Sequence, residues 1–331
     1  MKVIQFSECG DYDVLQVADR PLPVVQAGQV LVKINFAAVN PVDDTLRKGA
    51  IRPAKLPMIP GNEAAGIVEQ GNADLPAGSR VILTCFNPSG QVRGIYVDGA
   101  WQEYIAAWPS ELLPIPSGIG YATAAAFPVA YFSAQACLNK ADFLPGASVL
   151  SLGIGGAVGN AGYQLARAAG ASLVISTAGS TAKAEQARRM GFENIIDLSI
   201  ESISDGVSRI TGGKGVDIVI DSIGGHLTGE AIHSLSRDGI LVAIGYSAGT
   251  TFTANLTDFI WKGLQMRGQS LNGWFDQSAQ HKVWAQLLPF LADGKIQPAV
   301  ARTFSASETA AAQRFLAEER PFGKVLVNFG E

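Results

Sequence analysis

The chain has little cysteine, little histidine and little charge, and each shortage narrows what it does. Its three cysteines, Cys9, Cys85 and Cys137, stand too far apart for a redox pair or a thiolate metal cluster. Unpaired thiols suit a reducing compartment, so the expected location is cytoplasmic. The three histidines, His226, His233 and His281, fall in helical stretches. With 16% charged residues and a net charge of −4, the chain offers no basic surface, and no nucleic-acid partner is expected. Met1-Lys2-Val3-Ile4-Gln5-Phe6 lacks the apolar core of a signal peptide and reads as a first strand. Only Tyr121 to Leu138 is long and uncharged, and Pro128 and Gln135 interrupt it. It reads as a buried helix, and no membrane association is expected.

What is present is apolar and ordered. A chain of 331 residues with 47% apolar content is too long for one comfortable core, so two domains are expected. The first hundred residues read as short strands broken by Gly and Pro: Gln29 to Phe36, Ala64 to Gln70 and Arg80 to Cys85. From Ala147 the texture changes to alternating strands and helices. Val149-Leu150-Ser151-Leu152-Gly153, Ser172 to Ser176, Val216 to Asp221 and Ile240 to Gly245 are near-continuous apolar runs, the mark of a parallel sheet covered on both faces. Helical spacing separates them at the length of βαβ units, which predicts a doubly wound α/β domain over 117–267. After it, Gln277 to Ala292 reads as a helix with Trp284, Leu287, Leu288 and Leu291 inward, and Lys324 to Phe329 as a terminal strand. The nucleotide domain is therefore expected as an insertion between 1–116 and 268–331, two pieces of one β-rich domain.

Gly153-Ile154-Gly155-Gly156-Ala157-Val158-Gly159 follows an expected strand and opens an expected helix. That setting makes it a phosphate loop. Gly153 allows the sharp exit from the strand, Gly156 lets the backbone approach a pyrophosphate, and Gly159 lets the helix lie close to the sheet. The helix N-terminus then presents unpaired N–H groups to the phosphate charge. The second strand runs into Ser176-Thr177-Ala178-Gly179-Ser180-Thr181-Ala182-Lys183, with no carboxylate before Glu185. An acid there would hold the ribose hydroxyls of NAD and repel a 2′-phosphate. Its absence, with Ser180 as donor and Lys183 as countercharge, predicts NADPH. Ser180 as a helix cap is compatible with that role.

Several motifs occur in order: Ala37-Ala38-Val39-Asn40-Pro41-Val42-Asp43, Pro60-Gly61-Asn62-Glu63-Ala64-Ala65-Gly66, Gly78-Ser79-Arg80-Val81, Gly99-Ala100-Trp101-Gln102-Glu103-Tyr104, the glycine loop, Gly212 to Asp217, Asp221 to Gly225 and Gly323-Lys324-Val325. Together they resemble the medium-chain dehydrogenase/reductase superfamily, and within it the zinc-free quinone oxidoreductase branch. The resemblance implies a Rossmann domain inserted in a GroES-like catalytic domain, and a homodimer paired through the strand near Met266 to Leu271. It also implies cofactor contacts at Asn40, Ser133, Ala157, Val158, Thr177, Ser222, Gly245 and Tyr246. Zinc dehydrogenases of the superfamily use a Cys near Asn40 and a His after the glycine of the second motif. Here there is no such Cys, and Asn62 follows Gly61, so no metal is expected. Two departures stand out: tyrosines that some relatives carry after the Asn40 segment are missing from Thr45 to Ile51, and Leu198 follows Asp197 where relatives often have a tyrosine.

Reducing a conjugated carbonyl needs a held nicotinamide, a polarised carbonyl and a proton for the α-carbon. Asn40 is the polar candidate for fixing a carbonyl or the nicotinamide, and equally for holding the turn before Pro41. Asp43 is a second catalytic candidate, with an i, i+4 pairing to Arg47 as the reading ranked above it. Tyr96, Trp101 and Trp274 are candidates to line a pocket for a flat small-molecule substrate. The expected activity is hydride transfer from NADPH to a quinone or small α,β-unsaturated carbonyl; no residue stands out as a general acid, which a quinone tolerates because water can protonate its product. Two alternatives stand beside it: a non-catalytic NADPH-binding protein like the lens crystallins of this family, and an enoyl-thioester reductase. For the latter, Arg47, Lys48, Arg52 and Lys55 would receive a carrier phosphate.

Overall fold

Val30, Val32 and Ile34 alternate along one strand and are fully buried, which anchors the sheet that also carries the C-terminal strand. The computed structural model describes residues 1–270 and 277–330, which form two compact units. One is Met1–Val129 with the described parts of Trp274–Asp293 and Pro298–Glu331. The other is the described part of Ala130–Gly273 with Gly294–Gln297.

In the first unit the strand order is Val300–Ser305, Lys324–Asn328, Val30–Val39, Ala64–Gln70, Arg80–Leu83 and Leu112–Pro114, and Tyr104–Ala107 also pairs with Val30–Val39. All pairs are antiparallel except the first. The C-terminal strand lies against Val30–Val39 with Val325 opposite Val39. That register carries Lys324 to the level of Asn40. Val3, Val68, Trp101, Ile105, Val325 and Val327 fill the core beneath.

The second unit is a six-stranded parallel sheet in the order Ile195–Asp197, Leu173–Ala178, Ser148–Ser151, Val216–Asp221, Leu235–Ala243 and Gln265–Gly268. This is the doubly wound order with its reversal beside Ser148–Ser151, where ligands bind at the carboxyl ends of strands. Leu150, Leu152, Ile175, Val219 and Leu241 are buried within it.

The uncharged run is two helices, Tyr121–Ala125 and Pro128–Lys140. Pro128 begins the second, where its missing N–H costs nothing. The two units divide inside that helix rather than at the change in composition near residue 117. Among the described residues no helix is long and apolar enough to cross a membrane. In the Gln277–Ala292 helix, Trp284, Leu287 and Leu291 are buried and Leu288 is half-buried.

Candidate active site

Asn40 ends the Val30–Val39 strand and caps the helix Pro41–Arg47, with Pro41 in the first helical position. Its backbone N–H donates to Asp43 Oδ2 at 2.7 Å, and Asp43 Oδ1 accepts from the Gly61 N–H at 3.1 Å. Asp43 thus ties two chain segments through their backbones. Burial pushes its pKa up to about 7, opposed by those two hydrogen bonds and by Lys324. The expected pairing of Asp43 with Arg47 does not occur. Arg47 is fully buried and donates instead to Asp44, Gln313 and the Gly10 carbonyl. Asp44 lies three residues before Arg47 on the helix and is half-buried, so it takes the guanidinium that Asp43, turned inward, does not reach.

The Asn40 side chain sits in a buried polar cluster. Nδ2 donates to Asn62 Oδ1 at 2.8 Å and to Glu63 Oε1 at 2.9 Å, while Oδ1 accepts from Lys324 Nζ. Lys324 also donates to Glu63 Oε1, and Glu63 Oε2 accepts from the Val129 N–H at 2.7 Å. Glu63 is completely buried and Lys324 nearly so. Both amide hydrogens of Asn40 are therefore spent inside the protein. Of its two expected roles, fixing a carbonyl or the nicotinamide and holding the turn before Pro41, these bonds match the second. Glu63 and Lys324 are not singled out by the sequence reading, although each is a charge set directly against an apolar strand, a placement that demands a partner.

Trp101 is a second correction. It was expected to line a pocket, but it is fully buried, and its Nε1 donates to the Ala38 carbonyl at 3.1 Å. A Cβ on Gly61, which has φ +89°, would stand 2.3 Å from the Trp101 ring. The indole therefore clamps the turn that precedes Asn62. Tyr96 is half exposed, and Trp274 lies outside the described residues. The side chains around Asn62 do not fit zinc: no imidazole is among them, burial and Glu63 push the nearby Cys85 thiol up, and the Glu63 carboxylate already faces an ammonium. Among the described residues no three His, Cys, Asp or Glu side chains group as metal ligands.

In the other unit, Gly153 leaves its strand at φ +79°, and its N–H donates to Thr177 Oγ1 at 2.9 Å. The Ile154 N–H donates to the Thr177 carbonyl at 2.8 Å, so Thr177 braces the turn from the neighbouring strand. Gly156 is the exposed cap of the helix Ala157–Ala168, whose first N–H groups, at Ala157, Val158 and Gly159, have no intrahelical acceptor. A Cβ on Gly159 would meet the Leu152 carbonyl oxygen at 2.2 Å, which is why the helix lies so close to the strand. This is a cradle that fits a pyrophosphate. Ser222 Oγ donates to the Leu152 carbonyl at 3.0 Å, Gly245 packs on the Ser222 backbone, Tyr246 is exposed, and Ser133 is buried.

The Leu173–Ala178 strand ends at the exposed Gly179, and Ser180 caps the helix Thr181–Arg189 by accepting from the Lys183 N–H at 3.4 Å. The Lys183 side chain is half-buried. Asp197, at the end of the adjacent strand, accepts from the Ser199 N–H and hydroxyl, and these bonds hold its carboxyl below the usual range. Of the basic residues between Arg47 and Lys55, Arg47 is buried, and the exposed Lys48 and Lys55 pair with Asp44 and Asp98 at 2.7 Å, as in a solvated loop.

Residues 157–293 match the family model described as zinc-binding dehydrogenase, and residues 26–117 match that of the alcohol dehydrogenase GroES-like domain. The NADPH-dependent alkenal/one oxidoreductase of Arabidopsis thaliana is 31% identical over 336 residues, covering 99% of this chain and 79% of its own. The Escherichia coli quinone oxidoreductase, solved with NADPH, superposes with a TM-score of 0.85 at 26% identity, over 99% of this chain and all of its own. A structure described as an NAD-dependent alcohol dehydrogenase superposes with a TM-score of 0.87 at 27% identity, over 99% of each chain. With both family domains in order and likeness along nearly its whole length, the chain belongs to the medium-chain dehydrogenase/reductase superfamily, in its quinone oxidoreductase-like branch, and is an oxidoreductase.

Proposed function

We propose that the protein reduces a quinone or a small α,β-unsaturated carbonyl with NADPH and without metal. The observation that carries this reading is the carboxylate-free end of the Leu173–Ala178 strand beside the glycine turn, with Ser180 and Lys183 at the adjoining helix start. In it, the N–H groups of Ala157, Val158 and Gly159 hold the pyrophosphate, and Ser180 and Lys183 meet the 2′-phosphate. Ser133, Ser222, Gly245 and Tyr246 border the rest of the cofactor. When bound, NADPH supplies the hydride, and the chain supplies position and polarity. The proton for the α-carbon comes from water.

The enoyl-thioester alternative loses its footing with the basic cluster, since three of those four cations are buried or paired. The non-catalytic alternative is separated by turnover. NADPH absorbance followed against a panel of quinones and enones should fall in the presence of enzyme. Tight NADPH binding with no oxidation by any member would replace the reductase reading with the binding-protein one. The partner in this reading is a second copy of the chain. The Gln265–Gly268 strand is a sheet edge, and Leu256, Ile260, Trp261 and Met266 are exposed on it and on the preceding helix. Light scattering at micromolar concentration should give a dimer mass, and a monomer mass removes that partner.

A further inference from the structure

Lys324 can only donate hydrogen bonds, and the Glu63 carboxylate can only accept them. Because both meet the amide of Asn40, they decide which way it faces: oxygen toward the ammonium, nitrogen toward the carboxylate. The remaining hydrogen of Asn40 Nδ2 then goes to Asn62, which must present its oxygen. Asn62 is oriented in turn, with its own NH2 group directed away from Asn40. That group meets no acceptor among the described residues, although Asn62 is only 7% exposed. The rest of the side chain is buried while its Nδ2 tip still reaches solvent, so the oriented donor is open to a ligand.

The backbone around it is held from both sides. Asp43 accepts from the Gly61 N–H, the Gly61 carbonyl accepts from the Ala100 N–H at 2.8 Å, and the Pro60 carbonyl accepts from the Trp101 N–H at 3.1 Å. Such a donor, fixed before any ligand arrives, is what a developing oxyanion needs.

We infer that the Asn62 side-chain amide holds the carbonyl oxygen of the substrate; the inference rests on the reductase reading. For an enone, a hydride taken from NADPH forms a C–H bond at the β-carbon. The C=C pair shifts, and the negative charge moves onto the oxygen facing Asn62. A proton from water then closes the α-carbon, leaving the saturated ketone and NADP+. Asn40, Lys324 and Glu63 are positioning residues that keep the donor turned outward.

The test compares wild type, Asn62→Asp and Asn62→Leu in NADPH oxidation with cyclohex-2-enone and 1,4-benzoquinone. Asp keeps the acceptor that Asn40 needs and loses the donor, whereas Leu removes both and adds no charge. In each, kcat/KM should fall about tenfold to a hundredfold, with the NADPH Kd changed by less than about twofold and thermal unfolding still cooperative. A folded variant that keeps its activity within about threefold overturns the assignment, since one lost donor should cost more. A loss seen only in NADPH affinity also overturns it, in favour of the nicotinamide carboxamide as the bound carbonyl. A wild type that binds NADPH and reduces neither compound removes the reductase reading, and this inference with it. A readout without variants uses wild type labelled with side-chain 15N-asparagine and loaded with NADP+. One amide pair should shift when cyclohex-2-enone is added, and a spectrum with no shift overturns the assignment.

Discussion

Glu63 and Lys324 are 261 residues apart in the chain and bonded in the fold, whereas the Gly153–Gly159 turn takes its partners from strands and a helix of the same βαβ neighbourhood. The first arrangement works through side chains, two of them ionised and buried, and each is in place only because the others are. The second works through backbone groups, with glycine supplying room. A site of the first kind should fail sharply when one member is removed, since a buried charge is left without its partner. A site of the second kind should fail only where a Cβ collides with something that cannot move.

The largest effect should come from breaking the ion pair. Lys324→Met leaves the Glu63 carboxylate buried with only the Asn40 amide and the Val129 N–H, a loss of about 3–5 kcal/mol in urea unfolding. Adding Glu63→Gln to it should restore much of that, because a neutral amide costs far less to bury than an unpaired carboxylate. A single variant that unfolds at the wild-type midpoint would show that the pair holds nothing.

Next is pH. The folded pKa of Asp43 lies above its unfolded value of about 3.9, so the folded state retains a proton that the unfolded chain releases. Its contribution to stability is fully present below about pH 4 and is lost as pH rises through about 7. A wild-type stability profile should decline across that window, and Asp43→Asn should flatten it. The same slope in both proteins would assign the titration to another group.

In the second unit, Lys183→Ala should weaken NADPH by about 1.5–3 kcal/mol, roughly ten- to a hundredfold, and leave NADH almost unchanged. Gly179→Asp should act the other way, repelling the 2′-phosphate and offering the ribose an acceptor. Gly179 is exposed with open space for a side chain, whereas the neighbouring Ala178 is buried and has no room for an acid. Fluorescence titrations with both cofactors decide it, and equal losses for the two in Lys183→Ala would make that residue a surface lysine.

The smallest effects distinguish glycines within the turn. Gly159→Ala places its Cβ 2.2 Å from the Leu152 carbonyl and should cost about 1–3 kcal/mol in thermal unfolding. Gly156→Ala meets only the Gly153 carbonyl at 3.4 Å, so its stability should hold while NADPH affinity drops. Equal melting temperatures for the two variants would show that the helix does not rest on the strand as described.

By itself the sequence determined the parallel sheet, the glycine turn and the missing acid at Ala178–Gly179, because each rests on the residues' own backbone preferences or on neighbours within one βαβ unit. It also placed Asn40 and Asp43 at the right turn, since Asn-Pro and a carboxylate at the third helical position are local signals. Only the tertiary structure decided what those side chains do. It set Val325 opposite Val39 and so brought Lys324 to Asn40 and Glu63. It spent the Asn40 amide inward, put Trp101 beneath Gly61, and moved Arg47 from Asp43 to Asp44. The physical reason is that a buried donor or charge is satisfied by whatever the sheet register brings within about 3 Å, and register joins residues whose separation along the chain carries no trace of it.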